Sequence, residues 1–268
     1  MKIMDFHNHI MLPDLEGKVL LEEMNRNNVE KSLLLGVTPR YHRFAGHVGM
    51  NEQVRHLLDK HPDRLIGGFE INPLDIEEAW ESLKIYPDAG FKVVKMFPLL
   101  GYYPDDEILY PLYEEIEKLG LMVLYHMGGT AISPISNYKS ESKLSSKYGR
   151  PRYVDGPAFR FPGIDFIMAH MGVFDTEEAA YMAANHPNVY LDCSCTNFVP
   201  VFKGLKANED YLIKPVDFKK ILWGLDGDPK QYPTLINRTM ELMTELGWQE
   251  HIPDVFYNNA IALLQKHK

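Results

Sequence analysis

The sequence predicts an α/β fold, a single (β/α)8 TIM barrel with a C-terminal closing helix, in one domain spanning residues 1–268. Three observations carry this. Short apolar runs of strand length recur along the chain, and amphipathic stretches separate them. Dividing 268 residues among eight runs gives about 33 per unit, close to one strand–helix module. An open doubly wound sheet is the competing arrangement. It is disfavoured because no G-x-G-x-x-G follows the first run.

The eight candidate strands are Ile3–His7, Lys31–Gly36, Leu65–Ile71, Phe91–Met96, Leu121–Tyr125, Asp165–Ala169, Val189–Asp192 and Ile221–Leu225. They are nearly continuous in apolar character rather than alternating, as strands covered on both faces should be. The stretches between them carry helix punctuation. Lys60-His61-Pro62-Asp63-Arg64 and Asn185-His186-Pro187-Asn188-Val189 each stop a helix with proline and lead into a strand. Pro104-Asp105-Asp106-Glu107 places negative charge at a helix start, where the dipole favours it, and Gly120 ends that helix. Pro111 falls inside this pattern, so the helix starts later or kinks. Asp175-Thr176-Glu177-Glu178 opens another helix. Residues Thr130 to Arg152, rich in Ser, Lys and Tyr, break the rhythm and read as an inserted active-site loop or lid. Pro253 to Lys268 reads as a closing helix.

Composition narrows the function classes. The net charge is −9, with no dense Lys/Arg run. Nucleic-acid and anionic-membrane partners, which need a basic field, are therefore not expected, and a small-molecule substrate is. No apolar run approaches the roughly 20 residues of a membrane span. The start of the chain has no apolar signal core, and its two cysteines, Cys193 and Cys195, sit too close for an ordinary bridge, so a cytoplasmic location is expected.

Candidate functional residues cluster at strand ends, where a barrel keeps its chemistry. His7 and His9 end the first strand, His126 the fifth, His170 the sixth and Asp226 the eighth. The triplet His-Met-Gly occurs after both the fifth and the sixth. Residues two apart on a strand share a face, so His7 and His9 point together and Asn8 points away. Two imidazoles, a third from across the barrel and a carboxylate make a four-ligand site for one divalent metal. Zn²⁺ is the expected ion, with Mn²⁺ or Fe²⁺ as alternatives. A single strand-end histidine is more often structural than a ligand. With histidine at 11 of 268 residues, several strand ends all carrying it by chance is an unlikely coincidence.

The order His-x-His, His, His, Asp resembles the amidohydrolase superfamily. Asp5-Phe6-His7-Asn8-His9 resembles its opening motif. Phe166-Ile167-Met168-Ala169-His170-Met171-Gly172 resembles its sixth-strand motif, and Leu222-Trp223-Gly224-Leu225-Asp226-Gly227-Asp228-Pro229 its eighth. Asn188-Val189-Tyr190-Leu191-Asp192 and Asn258-Asn259-Ala260 are similar to the amidohydrolase-2 branch, with its aminocarboxymuconate-semialdehyde decarboxylase-like proteins. The resemblance implies one metal held by His7, His9, His126 and Asp226, with His170 beside it in substrate polarisation or proton transfer. It also implies a homodimer. Asp228 is kept as a turn residue. Lys95 lies near the end of the fourth strand; in binuclear relatives a carboxylated lysine from this strand bridges two metals, and otherwise Lys95 would donate to a substrate anion or to Asp226.

The leading expectation is hydrolysis of a small anionic amide, ester or lactone by a metal-activated water, with Asp226 and His170 catalytic. The alternative is non-oxidative decarboxylation or hydration of a carboxylated ring or enol acid. A carboxylate clamp would favour the latter, and Arg40, Arg43, Arg152 and Arg160 are the candidates. A non-catalytic scaffold would show a broken metal set, and this set is intact. Arg40 and Tyr102 are the weaker substrate-binding candidates. His42 and His47 fall in the loop after the second strand, while Cys193 and Cys195 read as buried inert thiols. His56, His61, His186, His251 and His267 read as surface residues.

Overall fold

A computed structural model describes the chain apart from residues 12, 38–49, 130–144, 174, 195–197, 208, 211–217 and 268 and the side chains of residues 198–201. Its eight strands are β1 (Ile3–Asn8), β2 (Val29–Leu35), β3 (Leu65–Ile71), β4 (Phe91–Met96), β5 (Met122–Tyr125), β6 (Phe166–Met168), β7 (Val189–Asp192) and β8 (Ile221–Leu222). Each pairs in parallel with the next in chain order. The residues just past β8 return to β1. The Phe6 amide donates to the Trp223 carbonyl at 2.9 Å, and the Asp226 amide to the His7 carbonyl at 2.7 Å. Gly224 makes this approach possible, because a Cβ there would lie 2.6 Å from the His7 Cβ. The sheet thus curls into the expected barrel.

Helices cover the outside: α1 (Lys18–Arg26), α2 (Asn51–Lys60), α3 (Ile76–Ile85), α4 (Tyr110–Lys118), α5 (Asp155–Arg160), α6 (Thr176–Asn185), α7 (Phe198–Ala207), α8 (Tyr232–Glu245) and α9 (Asn259–Lys266). The apolar residues fall into two layers. Met4, Phe6, Leu33, Leu35, Val93, Leu124, Ile167 and Leu222 form the inner one, joined by Ala260 and Leu263 of α9. The outer layer, with Phe69, Val94, Phe166 and Leu191 among its members, packs beneath the helices. The expected closing helix is therefore real, and it contributes to the inner layer itself. It begins after a π-turn at Asp254–Asn258. Asn259 ties its start to the barrel, its Nδ2 donating to the carbonyls of Phe218 (2.7 Å) and Ile221 (2.9 Å).

Several boundaries differ from the sequence reading. The helix expected from Pro104 starts at Tyr110, after a short 3-10 turn at Glu107–Leu109. That places Pro111 in its first turn, where the missing N–H costs no bond. Helix α6 begins at Thr176 as expected, but Asp175 does not cap it; its carboxylate is held by Arg150 Nη2 at 2.9 Å. His186 and His267 are not surface residues. Both are buried, His186 against Asp155 at 2.7 Å and His267 between Asp165 (2.6 Å) and the Gly120 carbonyl (2.8 Å). Among the described residues, no helix is long and apolar enough to cross a membrane.

Candidate metal centre

The four strand-end histidines and Asp226 come together at the C-terminal mouth of the barrel. His7 Nε2 and His9 Nε2 lie 3.2 Å apart, and Asp226 Oδ1 is 3.6 Å from the first and 3.4 Å from the second. Asp226 Oδ2 faces His170 Nε2 at 3.7 Å. His126 joins through His170, its Nδ1 3.2 Å from His170 Nε2. Donor atoms of His7, His170 and Asp226 all lie within 4.8 Å of one another, the spread a single ion can gather. His126 Nε2 is buried with no hydrogen-bond partner. An orphaned imidazole nitrogen is costly unless something binds it, so this donor set fits a divalent cation.

Backbone geometry turns these groups inward. His170, Met171 and Asp226 take left-handed φ values of 58°, 49° and 45°. Non-glycine residues there store strain, which concentrates at functional sites. Asn8 points away as expected, its Nδ2 bonded to Asp5 Oδ2 (2.9 Å) and Tyr232 OH (3.0 Å). The two His-Met-Gly triplets abut: a Cβ on Gly128 (φ +76°) would lie 2.4 Å from the Val173 carbonyl oxygen, just after the second triplet.

Protonation suits ligation. Burial, seconded by the neighbouring His170, holds His126 well below the usual imidazole range, and burial brings His170 down to about 4. Both are therefore neutral near pH 7, as ligands must be. His9 Nδ1 lies 3.0 Å from the Leu35 carbonyl oxygen. That oxygen can only accept, so Nδ1 carries the proton and Nε2 keeps its lone pair toward Asp226.

Lys95 is buried on β4, and its Nζ has no hydrogen-bond partner. Burial lowers it to about 8, against the opposing carboxylates of Asp226, Asp192 and Glu70. Tyr102 is buried within the outer apolar layer. Arg40, Arg43, His42, His47 and Cys195 lie outside the described residues, as does most of the expected lid. Arg152 is engaged by Glu178, and Arg160 sits 4.8 Å over the Tyr110 ring. Cys193 is buried, and its thiol is pushed well up by that burial. Asp228 accepts from the Lys230 amide at 3.0 Å and caps a 3-10 turn, the turn role expected for it.

The sequence reading gave no role to the layer behind these groups. Asp5 is fully buried and accepts five hydrogen bonds: from the amides of His7 (3.2 Å) and Leu225 (2.9 Å), and from Asn8 (2.9 Å), Ser32 (3.2 Å) and Tyr232 (2.6 Å). It joins β1, β2, the turn after β8 and α8. Burial raises its carboxyl to about 6, against the pull of those donors. Asp192 and Ser194 form a second support. Asp192 Oδ2 meets His7 Nδ1 at 2.5 Å, and Ser194 Oγ lies 3.0 Å from His170 Nδ1. Burial works against the Asp192 carboxylate, but His7 and Ser194 outweigh it and hold its pKa below the ordinary value. The signal available in the sequence was Asp192-x-Ser194 at a strand end, the same two-residue spacing as His7-x-His9.

A sequential eight-stranded parallel barrel with histidines and an aspartate gathered at its C-terminal mouth defines a class of metal-dependent barrel enzymes. A family model described as amidohydrolase matches residues 34–266, and the chain belongs to that family. No curated protein matches it. Among solved structures, it is similar over 100% of its length to an uncharacterised TIM-barrel protein from Bordetella bronchiseptica, covering 99% of that chain at 19% identity and a TM-score of 0.74. It is also similar to 2,6-dihydroxybenzoate decarboxylase from Rhizobium, with 99% of each chain covered, 15% identity and a TM-score of 0.65. A third is 5-carboxyvanillate decarboxylase from Novosphingobium aromaticivorans, complexed with manganese and 4-hydroxy-3-methoxy-5-nitrobenzoic acid. There 94% of this chain and 80% of that one are covered, at 16% identity and a TM-score of 0.62. At these identities the likeness is one of fold.

Proposed function

We propose that this enzyme hydrolyses a small carboxylated amide, ester or lactone at one divalent metal held by His7, His9, His126 and Asp226. The observation that carries this is the convergence of His7, His9 and His170 nitrogens on the Asp226 carboxylate, with His126 joined to the group through His170. A bound divalent ion supplies a Lewis acid and brings the pKa of water toward neutrality. Asp226, which keeps 15% of its side chain accessible, takes the proton of the attacking water and returns it to the leaving group. His170, held from behind by Ser194, hydrogen-bonds the reacting carbonyl oxygen. Lys95 offers an unpartnered buried ammonium to the substrate carboxylate, which supports an anionic substrate. Zinc suits the nitrogen-rich set, and manganese, present in one structural neighbour, is the alternative.

A second reading, non-oxidative decarboxylation, is supported by the names of the two decarboxylases that share the fold. One experiment separates the two. Protein purified without a His tag is analysed for metal, then offered lactones, esters, amides and hydroxylated benzoates while acid production and carbon dioxide are followed. Hydrolysis without carbon dioxide supports the first reading. Carbon dioxide from the benzoates establishes the second. Protein that neither retains nor rebinds a divalent ion overturns both.

A further inference from the structure

We propose that Asp192 is the positioning residue of the metal centre, fixing His7 in the tautomer that can bind metal. The inference rests on the reading of His7 as a ligand, and it concerns a residue to which that reading gives no role. His7 Nε2 faces His9 and Asp226, while its Nδ1 faces Asp192 Oδ2 at 2.5 Å. A neutral imidazole has one proton for two nitrogens. If it sits on Nδ1, Nε2 presents a lone pair to the metal; if it sits on Nε2, that lone pair is gone. Asp192, wholly buried, decides the matter, because an ionised carboxylate can only accept, whereas the Ser194 hydroxyl, 3.2 Å from the same Nδ1, adapts to either role.

Its other oxygen is already committed. Asp192 Oδ1 accepts the backbone amide of Ser194 at 2.6 Å. A backbone N–H cannot reverse its role, so it orients whatever stands at position 192. This makes the isosteric substitution informative. In Asp192→Asn the amide oxygen must take the Ser194 N–H, which turns the NH2 toward His7 Nδ1. A donor there forces the His7 proton onto Nε2, the atom meant for metal. Asp192→Ala, by contrast, removes the fixed acceptor and leaves Nδ1 facing only the Ser194 hydroxyl at 3.2 Å, which can donate or accept, so His7 is free to choose. His9 needs no carboxylate because the Leu35 carbonyl fixes it in the same sense, Nδ1 protonated. Carboxylates behind metal-binding histidines act in this way generally, and their loss costs about 10- to 100-fold in metal affinity.

The test is a zinc titration of the metal-free protein against a chromophoric chelator, with wild type, His7→Ala, Asp192→Ala and Asp192→Asn. Tautomer control orders the affinities wild type, then Asp192→Ala, then Asp192→Asn, with the last about 100-fold below wild type. A merely structural Asp192 gives the opposite order, because alanine leaves a cavity and asparagine does not. Equal affinity of Asp192→Asn and wild type, with His7→Ala defective, overturns the inference and leaves the ligand reading standing. Unchanged affinity in His7→Ala sinks the ligand reading instead. Should the Asn variant not fold, ¹⁵N NMR of the His7 ring in metal-free wild type still decides. A proton on Nδ1 is expected, and a proton on Nε2 refutes the proposal.

Discussion

Asp5 shows how a single buried carboxylate sets the geometry of a site it never enters. Its five donors come from β1, β2, the turn after β8 and α8, and two of them are the amides of His7 and of Leu225, next to Asp226. Asp5→Ala would leave those donors buried without an acceptor. Breaking such a network costs about 3–5 kcal/mol, and urea denaturation should read that loss directly. The same variant should bind metal weakly, because both neighbouring groups lose their anchor. Asp226→Asn is the complementary case. It keeps the shape of the mouth but removes the proton acceptor. Turnover should fall by about 10²- to 10⁴-fold, while substrate binding changes much less. Steady-state kinetics on the first active substrate would check this, and a variant at full rate would dismiss Asp226 as the base.

At the scale of elements, β8 is the shortest strand, Ile221–Leu222, and yet it closes the barrel. Closure relies on Gly224, where an added Cβ would meet the His7 backbone nitrogen at 2.8 Å. Gly224→Ala should cost about 1–3 kcal/mol by overpacking and should lower metal affinity as β1 shifts. A denaturation midpoint and a zinc titration on the same sample would show both effects, and a silent substitution would mean that the mouth adapts. Strands β3, β4 and β7 were legible from sequence to the residue, since their apolar runs end at charged or polar residues or at a proline turn. The ends of β6 and β8 were not. There the chain leaves strand geometry early to aim His170 and Asp226, with left-handed backbone that apolar periodicity does not encode. The histidines and Asp226 were legible as a set because two-residue and strand-end spacing has a direct spatial meaning. Asp5 was quoted only as part of a motif. Its role depends on Tyr232, 227 positions away, which no local pattern reveals. His186 and His267 were misread because proximity to a helix end says nothing about an Asp arriving from another unit.

Considered whole, the barrel is fastened at both ends by polar groups. At the C-terminal mouth, the proposed metal ties together β1 and the turns after β5 and β8. At the opposite end, α9 caps the inner layer with Ala260 and Leu263, while Lys266 (2.7 Å) and His267 (2.6 Å) grip the buried Asp165. The ends are separated by the length of β6. The five residue steps from Asp165 to His170 span at most roughly 16 Å. A ligand that binds only the folded state at about 100 times its Kd stabilises by about 2.7 kcal/mol, which for a chain of this size raises Tm by about 5 °C or more. Saturating zinc or manganese should produce that rise, and His7→Ala should abolish it. His267→Ala should act at the other end, costing about 1–3 kcal/mol by leaving Asp165 with one partner fewer. Sites this far apart with no shared partner add independently. Hence the Tm loss from His267→Ala should be the same in chelator and in saturating metal. Differential scanning calorimetry of the four combinations reads this. A metal-induced rise that shrinks in His267→Ala would show that the two fastenings communicate through the barrel wall.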